Sequence, residues 1–162
     1  MPFTPFHLGP ALLLGLILFN YIDFPTFLIA NVIVDIEPLT VLLMGLNSLL
    51  HGFFHSFIGG TIASIFLTMI VTRVRKYVSP LMEFFYREQD WSRRKILVAS
   101  ISGVYMHIFL DSLLYTDIRP FYPFRSNPLL GGWSMGFKVF YFCVFSAVAG
   151  LIIYLYKRMK MN

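Results

Sequence analysis

Apolar runs long enough to cross a bilayer alternate with short polar breaks along nearly the whole chain, and this pattern predicts an all-α, polytopic membrane helix bundle with about five crossings. The first run extends from Phe6 to Ile22, is interrupted by His7 and Asn20, and is closed by Asp23-Phe24-Pro25. The second, Phe24 to Gly45, contains Asp35-Ile36-Glu37-Pro38. Proline lacks a backbone donor and turns the preceding residue away from helix, so this crossing is expected to be broken at Asp35 to Pro38. Leu49 to Thr72, Ile96 to Thr116 and Ser134 to Tyr156 supply the third, fourth and fifth. With no internal repeat, residues 1–162 read as a single transmembrane domain. No Lys or Arg precedes the first run and no small-residue cleavage pattern ends it, so it is expected to be retained rather than removed as a signal.

Composition agrees: 57% of the 162 residues are apolar and 13% charged, with a mean hydropathy of +0.72, which excludes an ordinary water-soluble domain. The single cysteine, Cys143, excludes an intramolecular disulfide and a cysteine-rich metal site. A net charge of +5 would suggest nucleic acid, but the basic residues flank the apolar runs. Of the 13 Lys and Arg, seven lie between Arg73 and Lys95 and three in the Lys157 to Asn162 tail, so no nucleic-acid partner is expected and the charge reads as a topology signal. Both segments are then cytoplasmic, with the N-terminus and the Asp117 to Trp133 loop outside a cell membrane. Residues 73–95 form a cytoplasmic basic loop in this reading. Tyr77, Pro80 to Tyr86 and Trp91 make part of it equally an interfacial helix or a solvated connector.

Against so apolar a background, ionisable side chains inside the spans are costly and point to function. His51 and His55 stand four apart, as do His107 and Asp111, a spacing that puts each pair on one helix face. Counting about 1.5 Å per residue from the outer ends, His55 lies roughly 6 Å in, Asp111 roughly 7 to 8 Å and His107 roughly 13 Å. The same topology brings Asp35, Glu37 and His7 to this outer level. Imidazoles and carboxylates without thiolate suit a divalent ion, zinc first and manganese or iron next, and the number of ligands allows one or two.

In order and spacing these elements resemble the membrane-bound metal-dependent hydrolase family, whose bacterial members include a LexA-regulated inner-membrane protein. The family pattern has an early histidine, an Asp-x-Asp element, a His-Arg-Gly-x-Thr-His-Ser block, and a His-x-x-x-Asp helix followed by a proline-aromatic loop. His7 resembles the first, and Asp35-Ile36-Glu37 the second, with Glu in place of the second Asp. His51-Gly52-Phe53-Phe54-His55-Ser56 resembles the third without its Arg and with Phe54 in place of Thr. His107 to Asp111 with Pro120-Phe121-Tyr122-Pro123-Phe124 resembles the fourth, so the likeness extends from His7 to about Pro128.

The resemblance implies a hydrolase. With the residue pattern it gives the expectation that His7, Asp35, His51, His55, His107 and Asp111 hold one or two ions that activate water against an ester or phosphoester. The substrate would be a lipid or a lipid-linked molecule at the outer leaflet. Glu37, with Asp35 the catalytic carboxylate pair, would be a further ligand or the general base. Arg119 and Arg125 could bind substrate phosphate or anchor the loop at the interface. Ser56 and Tyr105 could support the ligands or simply pack. Two other readings fit the same residues: a non-catalytic membrane protein with a structural metal, and a cation or proton transporter whose inner half would use Asn20 and Asp23.

Overall fold

The computed structural model describes residues 4–85 and 89–160. Among them all regular structure is helical, as the apolar pattern requires, and the chain forms a helical membrane bundle. The α-helices are α1 (Leu8–Ile17), α2 (Phe24–Ala30), α3 (Ile36–Leu43), α4 (Phe57–Phe85), α5 (Arg93–Ser112) and α6 (Met135–Met159). Single 3-10 turns at Thr4–His7, Ile33–Asp35 and Phe53–His55 precede α1, α3 and α4.

Among the described residues three stretches are long and apolar enough to cross a membrane: Phe24–Leu43, Phe57–Pro80 and Met135–Met159. Helix α5 has the length, with 20 residues, but opens on Arg93-Arg94-Lys95. The expected first crossing, Phe6 to Ile22, is shorter than read: α1 has 10 residues, a rise of about 15 Å against a hydrocarbon core of about 30 Å.

The second crossing is broken, but at Asn31 to Asp35 rather than at Asp35 to Pro38. Pro38 is the third residue of α3, and in a first turn its missing N–H costs nothing. The third crossing also differs. Residues 49–56 are not α-helical, because Ser56 adopts an extended conformation and its Oγ accepts the Gly59 N–H at 3.0 Å, which caps α4. At the other end α4 continues through Pro80 to Phe85. Most of the expected 73–95 loop is therefore helix; Tyr86 lies outside the described residues.

Packing sets the levels of the bundle. Helix α1 runs alongside α6 in the same direction: Gly9 faces the Cys143 carbonyl and Gly150 faces Leu12, while Lys157 Nζ donates to the Leu16 carbonyl at 2.9 Å. A Cβ on Gly9 would sit 2.3 Å from that Cys143 oxygen, so only glycine permits this approach. Helix α2 packs against α5, where a Cβ on Gly103 would meet the Ala30 Cβ at 2.6 Å. The main core, Ala30, Val34, Leu67, Val71, Ile96, Val104 and Ile108, joins α2, α4 and α5. One end of the bundle then gathers the starts of α1, α3 and α4 with the end of α5. The opposite end holds Asp23, Arg75, Gln89 and the basic segments.

Candidate metal centre

Four side chains from three separate segments meet at the first of these ends. Asp35 comes from the 3-10 turn before α3, His55 from the turn before α4, and His107 and Asp111 from successive turns of α5. One potential ligand atom from each lies within 4.8 Å of the other three. His107 Nε2 is 3.3 Å from Asp35 Oδ1 and 3.2 Å from Asp111 Oδ2, and His55 Nε2 is 3.7 Å from Asp35 Oδ1. Ligands bound at 2.0–2.1 Å to a tetrahedral zinc stand about 3.3 Å from one another, so these separations fit one small ion.

Orphaned polar atoms argue the same way. Buried polar groups are almost always hydrogen-bonded. Yet His55 Nε2, His107 Nε2, Asp111 Oδ1 and His7 Nδ1 have no hydrogen-bond partner among the described residues. The short nitrogen–oxygen distances in the cluster are thus close approaches without hydrogen-bond alignment. His55 and His107 are fully buried, and Asp111 is nearly so. A cation among the ligand atoms would satisfy those of His55, His107 and Asp111 and offset the burial of the Asp111 carboxylate; hydrogen bonds within the cluster do not.

The outer nitrogens of His55 and His107 are both held, as is that of the neighbouring His51. His55 Nδ1 lies 2.9 Å from Glu37 Oε2, His107 Nδ1 lies 2.7 Å from the Asn31 carbonyl, and His51 Nδ1 lies 3.0 Å from both Asp117 carboxylate oxygens. Donation from Nδ1 fixes the tautomer that leaves Nε2 with its lone pair, the usual support of a metal-ligating histidine. The Asn31 carbonyl is available because α2 ends there, and the glycine contact at Gly103, one turn before His107, brings it close.

Glu37 stands apart from the ligand set. Besides His55 it accepts the Gly52 N–H at 3.1 Å and the Phe54 N–H at 3.3 Å. Three donors on one carboxylate make it a clamp that fixes the 52–55 turn and the His55 ring. Glu37→Gln should therefore lower metal affinity by roughly 10- to 100-fold with every ligand still present. Competition against a chelator measures this; an affinity equal to that of the unaltered protein would show that the carboxylate does not orient His55.

The remaining sequence candidates fall at graded distances. His7 reaches the cluster edge, with Nε2 3.0 Å from Asp111 Oδ1 and its ring 4.4 Å from that of His107. His51 is in the adjacent layer: its ring lies 4.8 Å from His55 and 4.4 Å from Tyr115. The two histidines of this pair meet edge to face across a 3-10 turn, not on one helix face. Arg119 is half-buried and Arg125 exposed, and neither forms an ion pair with the cluster among the described residues. Ser56 caps α4, and Tyr105 is engaged by Thr61 Oγ1 at 2.7 Å. Asp23 is bound to Arg75 at the far end.

Asp117 and Asn31 were not identified from sequence. Asp117 carried a signal, an acid six residues after Asp111 beside an outer span end. A backbone carbonyl such as that of Asn31 has no residue-type signature.

Compared with known proteins, the sequence matches the YdjM inner membrane protein family over residues 4–161, nearly its whole length. No curated protein and no solved structure matches.

Proposed function

From the premise that the chain belongs to the YdjM inner membrane protein family, a description that names a location and no reaction, we propose that it is a metal-dependent hydrolase acting at the membrane. The observation that carries the reading is the cluster of buried, unsatisfied ligand atoms on His55, His107 and Asp111, with Asp35 completing the set. Asp35 is the most exposed of the four, its side chain 17% accessible against 0–4% for the others. The centre is therefore approached from the Asp35 side, which favours a site open to water and substrate over a closed structural one.

A divalent ion held by these residues supplies, at neutral pH, the activated water that ester or phosphoester cleavage needs. The protein's part is positional. Glu37 and the Asn31 carbonyl hold two imidazoles in the ligating tautomer, Asp111 is steadied by His7, and the buried side excludes water. Glu37 acts as an orienting group in this reading rather than as ligand or base. Zinc is the first choice from the nitrogen and oxygen donors, with manganese or iron next.

An ester or phosphoester of a lipid or lipid-linked molecule suits a centre at one end of an apolar bundle. Ten of the 13 Lys and Arg lie in the segments at the opposite end, and the positive-inside rule then turns the cluster outward. The test loads the purified protein with zinc and offers phospholipids, acyl esters and lipid-linked phosphates, with a reporter fused after Asn162 to read topology. Turnover should vanish on chelation and return with metal, and the reporter should be cytoplasmic. Stoichiometric metal without turnover on the whole panel would assign the ion a structural role.

A further inference from the structure

A second feature adjoins the cluster. Between the start of α1, the end of α5 and the first turns of α6 lies a half-open cavity of about 230 Å³, lined by Phe6, His7, Leu114, Tyr115, Gly136, Val139, Phe140 and Cys143. It is larger than the ~150 Å³ apolar cavity that takes up benzene. Its walls are apolar except at one end, where His7 and Tyr115 stand, and both belong to the surroundings of the centre: His7 contacts Asp111 and Tyr115 contacts His51. Its lining includes the Phe6–Phe140 ring pair, 5.2 Å between centroids. Both rings are partly exposed on the outer face of the bundle, where α6 also presents Phe137, Tyr141 and Phe145. On an apolar helix that crosses the membrane, such a face meets acyl chains.

We infer that this cavity receives the aliphatic chain of a membrane lipid and presents the polar group at the end of that chain to His7 and the metal centre. The inference rests on the hydrolase reading and narrows its substrate to an amphiphile whose chain enters sideways from the bilayer. An alkyl chain matches the apolar walls. The His7 side chain, 3% exposed, has an Nδ1 without a hydrogen-bond partner among the described residues. Because His7 lines the cavity, this nitrogen is an unmet hydrogen-bonding position that a head-group oxygen or hydroxyl at the end of the chain can fill. A purely apolar occupant would leave it orphaned, and a purely polar one would not match the apolar walls.

Gly136 provides a clean test. Gly136, Val139, Phe140 and Cys143 are spaced i, i+3, i+4 and i+7 on α6 and share one face, so a side chain at position 136 enters the cavity. A Cβ there meets nothing within 4 Å, and the backbone tolerates it. The experiment reconstitutes the zinc-loaded protein in vesicles containing a phospholipid with a diazirine on its acyl chain a few carbons from the head group. Photolabelled peptides are mapped in the unaltered protein, Gly136→Leu and Gly136→Phe, with metal content measured in each. Labelling at Val139, Phe140 and Cys143 is expected in the unaltered protein, with a graded fall of at least tenfold by Gly136→Phe, while labelling of the outward residues Tyr141 and Phe145 and the metal content stay unchanged. If the cavity residues remain unlabelled, or are labelled equally in all three proteins, the inference is overturned. Turnover separates it from the hydrolase reading. Cavity labelling without hydrolysis of any ester removes the enzyme and keeps the lipid site. Hydrolysis of long-chain and short-chain esters unaffected by Gly136→Phe removes the lipid site and keeps the enzyme.

Discussion

His107→Ala should empty the centre, lowering metal affinity by roughly a thousandfold or more, beyond the 10- to 100-fold cost of losing a supporting group. His107 is the hinge of the cluster, with its Nε2 within 3.3 Å of Asp35 and 3.2 Å of Asp111, and no other imidazole approaches both acids as closely. Without it Asp35 keeps its approach to His55 and Asp111 its approach to His7, but no imidazole bridges the two carboxylates. The substitution also frees the buried Asn31 carbonyl, a cost of about 1–3 kcal/mol that is unrelated to metal. His55→Ala isolates the ligand effect, because the carboxylate it releases, Glu37, keeps two backbone donors. Metal content after purification, with thermal unfolding at increasing zinc, checks both variants. Zinc at 100 times its dissociation constant stabilises the unaltered protein by about 2.7 kcal/mol, and neither variant should respond. Stoichiometric zinc in both would mean that the cluster is not the binding site.

The candidate ligands that sequence located best are those whose spacing is enforced by regular structure. His107 and Asp111 occupy one face of α5, as four-residue spacing on a helix dictates, and their contact is local. His51 and His55 have the same spacing but no helix, because Ser56 starts α4 after them and the Glu37 carboxylate fixes the turn they sit on. Their neighbourhood survives the wrong local geometry since both are tied to other segments, His51 to Asp117 and His55 to Glu37. The break in the second crossing was legible from Pro38, although its position shifted: a proline marks a helix start as readily as a helix end. What could not be read is what depends on tertiary approach. The Asn31 carbonyl and the cavity beside His7 exist because α2 closes on Gly103 and α1 on α6, and neither distance follows from a hydropathy pattern.

Breaking the other polar end should cost more stability than any single ligand. Arg75→Ala is expected to destabilise the protein by about 3–5 kcal/mol, because it strands a buried carboxylate. Asp23, fully buried, accepts Arg75 Nε at 2.7 Å on one oxygen and caps α2 with the other, taking the Thr26 N–H at 3.3 Å and the Thr26 hydroxyl at 2.5 Å. Arg75 Nη1 continues to Ser79 at 3.0 Å. Gln89 then locks the α1–α2 corner to the chain before α5, donating to the carbonyls of Phe19 and Ile22 and accepting from Phe24 N–H. The double variant Asp23→Asn/Arg75→Leu removes both charges yet retains a side chain able to cap α2, so it should recover most of the loss. Denaturant unfolding in detergent measures the difference, and a double variant no more stable than Arg75→Ala would assign the cost to lost packing rather than to the stranded charge. Metal affinity of the folded protein should be unaffected in either case. Asp23 N–H bonds to the Lys95 carbonyl, and from Lys95 to His107 α5 rises about 18 Å, beyond the range over which such substitutions couple. The same separation bears on transport: Asp23, which a cation path would use with Asn20, is held by Arg75 and by the start of α2, so a variant that frees it should leave metal binding at the cluster unchanged.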